Sequence, residues 1–375
     1  MDNCSPLLEA ALKRALTKRN RSFVANSGVA ERIASVVNCP SNRAGARLLM
    51  ACMLAKVHRP EVDPRKPYTK IKSADSFSGR TYDEQFIGDF ITRHNLPCNS
   101  TTAFLTPTLR NMDQTLATNV VLVGRPAVMY QNALLVLADV HAKRLSASDV
   151  LDEIIRLLLV ERDAQQARLK TLLSGVARVT DALPLSSEDT VNLIAQHLRC
   201  KGSSRLPVLI VAAAYEAVQE KLGERVLLLL TGHNAADEQT GAVGDVQITL
   251  LGDNHVVTGY EMKNKAVFSG DIDRALQKIA AQAPPVHNYI FITTEPTSEE
   301  VHEYARSKYD ETGGVEIAIL DCIGFLRHFL HLFHRLRKTF LDHYQRLVLT
   351  EPASAVSQPL KEAFLALRAA AESSD

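Results

Sequence analysis

The sequence predicts an α+β or α/β protein with a mainly helical first domain, residues 1–200, and a second domain, residues 201–375, in which helices and strands alternate. Helical patterns fill most of the first half, whereas short apolar runs at 225–231, 288–294 and 314–320 alternate with helical segments in the second. A chain of 375 residues exceeds the usual size of one domain. The Lys-Gly-Ser-Ser run at 201–204 is the best linker, so we place the boundary there.

Composition describes an ordinary soluble globular protein, with 46% hydrophobic and 23% charged residues. The net charge of +1 argues against a globally basic nucleic-acid binder but leaves room for a local basic cleft. The six cysteines have no paired spacing, so neither a zinc site nor a disulfide framework is indicated. Since there is no signal peptide and no apolar run long enough to span a bilayer, we expect a protein of the reducing cytoplasm.

Helical periodicity accounts for most of the first domain. In the helix predicted at 42–58, Leu48, Leu49, Cys52 and Leu54 are expected to face a core. Further helices are predicted at 6–18, 28–37, 127–143, 146–173 and 186–202.

One segment of the first domain, residues 57–111, is rich in proline, hydroxyl side chains and local basic charge. Seven Lys and Arg face three acids between residues 56 and 80. Such a segment is either a solvated loop or a surface that contacts phosphates and base edges. A helix at 82–94 is predicted inside it, with Phe86, Ile87, Phe90 and Ile91 buried. The candidate DNA contacts are Arg65, Lys66, Lys70, Lys72, Ser78, Arg80, Asn99, Ser100, Thr101, Thr102, Arg110 and Asn111, with Arg205 from the second domain.

The most informative stretch is residues 243–265, where period-two patterns predict two strands joined by a turn at 252–254. Glu261 and Lys263 lie two residues apart on the second strand and so project from one face, and Asp245 can lie opposite them. Two close carboxylates would repel each other unless a cation such as Mg²⁺ lay between them, with the carbonyl of Met262 as a further oxygen ligand. A simpler interpretation is a surface hairpin with an ion pair.

The flanking elements favour the catalytic interpretation. A helix is predicted at 206–222, with Pro207 in its first turn and Gly223 past its end. A buried central strand is predicted at 225–231, a helix at 269–282 and a strand at 288–294. With the hairpin, the order is helix, three strands, helix, strand.

This order, with Gly244-Asp245 and Glu261-Met262-Lys263 on the second and third strands, resembles the PD-(D/E)xK nuclease core of many restriction endonucleases. The resemblance implies a mixed central sheet flanked by helices, with Asp245 and Glu261 holding the metal and Lys263 acting on the attacking water. Gly244 stands where the motif has proline, a departure that leaves the aspartate ligand in place. Glu216 is a candidate auxiliary acid, with a solvated helix residue as its alternative.

Segments 63–69, 75–87, 96–111 and 204–207, together with the hairpin, resemble the SacI family of type II restriction endonucleases. That resemblance implies Mg²⁺-dependent cleavage of double-stranded DNA at a specific palindromic site. It also implies a cognate DNA methyltransferase as functional partner in a restriction-modification system. A palindromic site would in turn require a homodimer, so that both strands meet an active site. Three alternatives remain open: a nuclease of DNA repair or mobile-element processing on the same core, a DNA-binding module without catalysis, and a purely structural helical adaptor.

The C-terminal region predicts a helix at 297–309, a strand at 314–320 and one long amphipathic helix at 321–350. His328, His331 and His334 recur every third residue there. A polar helix face fits this spacing better than a zinc site, because zinc ligands usually come from separate elements and include Cys or carboxylates. That face carries several arginines as well, which could touch a DNA backbone.

Overall fold

The computed structural model describes residues 3–40, 42–99, 101–177, 184–228, 243–253, 255–281 and 286–373. The chain divides into two compact units, Met1–Arg168 and Leu169–Asp375. The division falls within a long helix, upstream of the linker at 201–204 that the sequence indicated. None of the described helices combines the length and the apolar character needed to cross a lipid bilayer.

The first unit is helical. Its central helix, α3, is enclosed on all sides: residues 44–55 are all buried, including Leu48, Leu49, Cys52 and Leu54, as predicted. The α-helices are α1 Ser5–Thr17, α2 Ser27–Val37, α3 Ala44–His58, α4 Gly79–Tyr82, α5 Gly88–Arg93, α6 Ala127–His141 and α7 Ala147–Ala177. The last of these extends beyond the unit boundary.

The basic segment at 57–111 folds around a buried charge on α3. The Arg47 side chain is 2% exposed and donates from Nε to Asp83 Oδ1 over 2.8 Å and from Nη1 to the carbonyl of Asn99 over 2.7 Å. The helix predicted at 82–94 is present, although it starts at Gly79 and contains a π-helical turn, Asp83–Ile87, between α4 and α5. The described part of this segment therefore packs against the core of the first unit.

The second unit combines helices with one five-stranded mixed sheet, which agrees with the predicted α+β class. In the order β1-β2-β3-β4-β5, the first three strands are antiparallel neighbours, and β3, β4 and β5 run parallel. The strands are β1 Glu224–Leu228, β2 Val246–Leu250, β3 Val256–Lys263, β4 Asn288–Thr293 and β5 Glu316–Asp321. The helices are α8 Ser187–Leu198, α9 Leu206–Leu222, α10 Ser269–Ala280, α11 Glu299–Glu311, α12 Cys322–Leu332, α13 Arg337–Thr350 and α14 Gln358–Glu372.

Each face of this sheet carries its own hydrophobic core. Val246, Ile248 and Tyr260 pack with helices α8, α9, α12, α13 and α14. Tyr289 and Phe291 point to the other face and pack with α10 and α11. Since side chains alternate along a strand, Glu261 and Lys263 project towards α10, opposite to Tyr260 and Met262.

Two sequence predictions about this unit were wrong. The run at 225–231 was expected to be a buried central strand, but β1 lies at the edge of the described sheet with Arg225 exposed, and residues 229–231 lie outside the described part of the chain. The single helix expected at 321–350 is two helices joined by a 3₁₀ turn, His334–Leu336. The break brings the rings of Phe329 and Phe340 to 6.0 Å, whereas eleven residues of straight helix would separate them by roughly 16 Å.

Candidate active site

The predicted hairpin of β2 and β3 is present and antiparallel. Val246 pairs with Tyr260 and Ile248 with Thr258, followed by an irregularity in the register between Ile248 and Thr249. Asp245 directly precedes β2, so continuing the register places it beside Glu261 and Met262 at the end of β3.

A hydrogen bond fixes Asp245 at that point. The main-chain N–H of Met262 donates to Asp245 Oδ2 over 2.8 Å. In an extended strand the N–H and C=O of one residue point to the same side, so the carbonyl of Met262 is directed to the β2 side as well. The carbonyl of Lys263 points to the other side, where it accepts from the N–H of Thr294 over 3.1 Å. The half-buried Asp245 carboxylate and the Met262 carbonyl therefore share one side of β3.

The Glu261 carboxylate is surrounded by hydrogen-bond donors. Lys263 Nζ lies 3.1 Å from Oε1, which shows that the two side chains share a face. Oε2 accepts from the hydroxyl of Tyr289 over 3.1 Å and lies 3.4 Å from Lys278 Nζ of α10. The Glu261 side chain is only 13% exposed, so these contacts hold a largely desolvated carboxylate in one orientation.

Lys263 is shared between two carboxylates. Its Nζ also lies 3.4 Å from Oδ1 of Asp271, a buried residue in the first turn of α10. Burial by itself would raise the pKa of Asp271, but the main-chain N–H of Phe268, the Lys263 ammonium and the Arg274 guanidinium together hold that pKa below its usual value. Asp271 is therefore a charged partner that helps to fix the lysine.

The glycine that precedes Asp245 has a steric cause. A Cβ on Gly244 would lie 2.4 Å from the carbonyl oxygen of Tyr260 and 3.0 Å from its carbonyl carbon. Because those atoms are main chain in a paired strand, they cannot move aside without disturbing the hairpin. The close approach of the two strands next to Asp245 thus requires glycine.

The oxygen atoms available to a metal here are the carboxylates of Asp245 and Glu261 and the carbonyl of Met262. Within the described ranges, no cluster of three or more His, Cys, Asp or Glu side chains forms a metal site. Two carboxylates and a carbonyl are a donor set of hard oxygens that suits Mg²⁺, since this ion usually retains several waters and takes few protein ligands. The residues present fit such an ion.

Glu216, the candidate auxiliary acid, has partners on a different element. Its Oε2 lies 3.0 Å from Nδ1 of His343 and is also paired with Arg346, both on α13. Its helix, α9, packs against α13 and against the sheet face that carries Tyr260. We therefore leave Glu216 out of the site at Asp245, Glu261 and Lys263.

Several predicted DNA contacts have structural partners. Thr102 is 5% exposed and donates to the Asp83 carboxylate, and Arg205 is 7% exposed and pairs with Glu351 over 3.1 Å. Burial removes both from the residues that can touch DNA. Lys66 pairs with Asp75 over 2.8 Å, and that bond lowers the pKa of the Asp75 carboxyl to about 2, with Ser73 contributing.

The remaining candidates fall into two groups, those with partners inside the protein and those that are exposed. Arg65 pairs with Asp63, the hydroxyl of Ser78 accepts from the N–H of Thr81 at the start of α4, and Asn99 is half-buried with its carbonyl bonded to Arg47. Ser100 lies outside the described residues. The exposed candidates are Lys70, Lys72, Arg80, Thr101, Arg110 and Asn111.

The structure adds three residues that the sequence analysis did not identify: Asp271, Lys278 and Tyr289. Asp271 and Lys278 are seven positions apart and so lie on one face of α10, a spacing visible in the sequence. Nothing in the sequence indicates that this face meets β3, because that contact depends on how α10 packs on the sheet. Tyr289 belongs to a predicted strand, but its contact with Glu261 follows only from the parallel register of β3 and β4.

Comparison with known proteins gave no match, either among protein-family models or among curated proteins.

Proposed function

We propose that this chain is a Mg²⁺-dependent, site-specific endonuclease that hydrolyses phosphodiester bonds in double-stranded DNA, on a core of the PD-(D/E)xK type. One observation carries the proposal: Glu261 and Lys263 share a face at the end of β3, and Asp245 is bound to the main chain of the residue between them. A surface ion pair would not account for a carboxylate from a second strand that is bonded to the main chain between these two residues.

The order of elements supports the finer fold assignment. Helix α9, strands β1 to β3, helix α10 and strand β4 follow one another along the chain, and the sheet changes from antiparallel to parallel at β3. In the proposed core, the second and third strands supply the acidic residues and the lysine, which is where Asp245, Glu261 and Lys263 stand.

In the proposed mechanism, Asp245, Glu261 and the Met262 carbonyl would hold Mg²⁺. When bound, the ion makes a water molecule more acidic and stabilises the charge on the phosphate under attack. Lys263 orients the attacking water, while Asp271 keeps the lysine in place. Addition of water across one P–O bond leaves a phosphate on one end of the broken strand and a hydroxyl on the other.

Recognition of the DNA is assigned to the exposed part of the 57–111 segment. Lys70, Lys72 and Arg110 supply positive charge for phosphates, and Thr101 and Asn111 have side chains that read base edges. A palindromic target requires two copies of the chain related by a two-fold axis, so that each strand meets one active site. A cognate methyltransferase would protect the host DNA, as the resemblance to the SacI family implies.

A plasmid digest with a matched pair of variants tests the proposal. Wild-type protein should cut plasmid DNA into discrete fragments with Mg²⁺ and leave it intact with EDTA. Lys263→Ala should bind DNA but not cut it. The matched control is Lys265→Ala, because Lys265 lies two residues further along the chain and is exposed. It should cut like wild type.

The alternative functions give different patterns. A smear without discrete bands would contradict site specificity and favour a nuclease of repair or mobile-element processing. Binding without cutting by wild type at any Mg²⁺ concentration would point to a DNA-binding module. Equal cutting by Lys263→Ala and wild type would exclude Lys263 as the residue that orients the attacking water. Sequencing of the fragment ends would give the site and the cut position.

A further inference from the structure

Tyr289 lies on β4 and reaches across to the proposed metal ligand. Tyr289 is fully buried, and its hydroxyl donates to Glu261 Oε2 over 3.1 Å. The ring packs edge-on against Phe291 with a centroid distance of 5.3 Å, inside the core beneath α10 and α11. A ring enclosed in this way cannot change rotamer freely, so the direction of the hydroxyl is fixed.

The neighbouring strand makes space for this ring. Gly259 pairs with Tyr289 in the parallel register, and paired residues face the same side of the sheet. A Cβ on Gly259 would lie 3.1 Å from Tyr289 Cδ2 and 3.2 Å from Val243 Cγ1, which is closer than side chains normally pack. The absence of a side chain at 259 thus lets the tyrosine lie over β3 and meet Glu261, two residues further on.

Two donors contact the same oxygen of Glu261, but they differ in charge. Lys278 carries a positive charge, which repels a cation bound at the carboxylate. The hydroxyl of Tyr289 is neutral, so it orients the carboxylate without repelling a cation. Donors behind a metal-binding carboxylate fix its orientation, and their loss typically weakens metal binding by about 10- to 100-fold.

We propose that Tyr289 is a positioning residue for Glu261: it holds Oε2 so that the carboxylate is presented for a divalent cation, and Gly259 is the steric condition for this arrangement. The proposal rests on the function proposed above, because it takes Glu261 as a metal ligand. It goes further by assigning a residue outside the motif on β2 and β3.

The test measures metal binding to the free protein, without DNA. In isothermal titration calorimetry with Mn²⁺ as the probe, Tyr289→Phe should raise the Kd by about 10-fold. Gly259→Ala should raise the Kd in the same direction, since it displaces the ring. The matched control is Tyr304→Phe, which also removes a tyrosine-to-carboxylate bond in the second unit, that from Tyr304 to Asp273 of 2.7 Å, and should leave the Kd unchanged.

The outcomes separate this inference from the proposed function. If wild type cuts DNA with Mg²⁺ but Tyr289→Phe binds Mn²⁺ as tightly as wild type and is only less stable to urea, Tyr289 is structural and the inference is overturned. If Tyr289→Phe binds Mn²⁺ more weakly but wild type cuts no DNA, the inference stands and the nuclease function falls. If wild type binds no Mn²⁺, both are overturned.

Discussion

Asp245 accepts a hydrogen bond from the main-chain N–H of Met262, with 2.8 Å between Oδ2 and N, so the proposed metal ligand also joins β2 to the end of β3. Under the proposed function, the same carboxylate therefore has two separable roles, one in catalysis and one in the sheet. An acceptor without charge can serve the second role but not the first.

We predict that Asp245→Asn abolishes Mg²⁺-dependent cleavage while keeping nearly the wild-type free energy of unfolding, because the amide oxygen can still accept from Met262. Asp245→Ala leaves that N–H without its partner and should lower the free energy of unfolding by about 1–3 kcal/mol. Urea denaturation and the plasmid digest measure the two effects. Cleavage by Asp245→Asn at the wild-type rate would exclude Asp245 as a metal ligand.

The core of the candidate site was predictable because it depends on local sequence patterns. The period of two along a strand places Glu261 and Lys263 on one face, and this prediction is confirmed by their contact. Helix α9 begins and ends where Pro207 and Gly223 predicted, since proline is tolerated in the first turn and Gly223 adopts a φ of +70° past the end.

The parts of the fold and of the candidate site that the sequence did not predict depend on contacts between distant parts of the chain. The position of Tyr289 over Glu261 follows from the register between β3 and β4, which no local pattern encodes. Likewise, the partner of Arg47 lies 36 residues away, in a segment whose composition favoured a solvated or DNA-binding surface. The break between α12 and α13 has no proline or glycine to mark it and follows from packing among aromatic rings.

The buried pair of Arg47 and Asp83 gives a prediction about the first unit. Arg47→Met leaves Asp83 as an uncompensated buried charge, so it should lower the free energy of unfolding by about 3–5 kcal/mol. Arg80→Met removes an exposed pair with Glu84 and is the matched control, with little expected change. Urea titrations monitored by circular dichroism measure both. Equal stability of the two variants would show that the buried pair does not hold the 57–111 segment.

The buried imidazole of His197 predicts a loss of stability in mild acid. Its ring nitrogens contact the Tyr344 hydroxyl and the Leu360 carbonyl, each over 3.0 Å. Burial lowers its pKa from 6.5 to about 4, although the Leu360 carbonyl acts in the opposite direction. Between these values the unfolded chain binds the proton and the folded chain does not, so stability falls as the pH decreases from 6.5 towards 4.

At 1.36 kcal/mol per pKa unit, the free energy of unfolding falls by about 3 kcal/mol in total as His197 passes through this pH range. His197→Gln, which cannot titrate, should lose this part of the pH dependence. His334→Gln should keep it, because His334 is exposed. Urea denaturation at a series of pH values between 4 and 7 provides the measurement. The same pH slope in His197→Gln and wild type would show that His197 does not cause the loss.

The exposed lysines of the 57–111 segment give the last prediction, which concerns DNA affinity. Each phosphate contact on duplex DNA adds about 0.9 to the slope of log K against log salt concentration. In a Lys263→Ala background, for which no cutting is expected, the double change Lys70→Gln and Lys72→Gln should therefore reduce that slope by nearly 2. The control is Lys13→Gln with Arg21→Gln, which removes the same charge from exposed positions on or next to α1. Fluorescence anisotropy at several salt concentrations yields the slopes. If both double variants reduce the slope equally, the effect is one of net charge, and the segment is not the DNA-contacting surface.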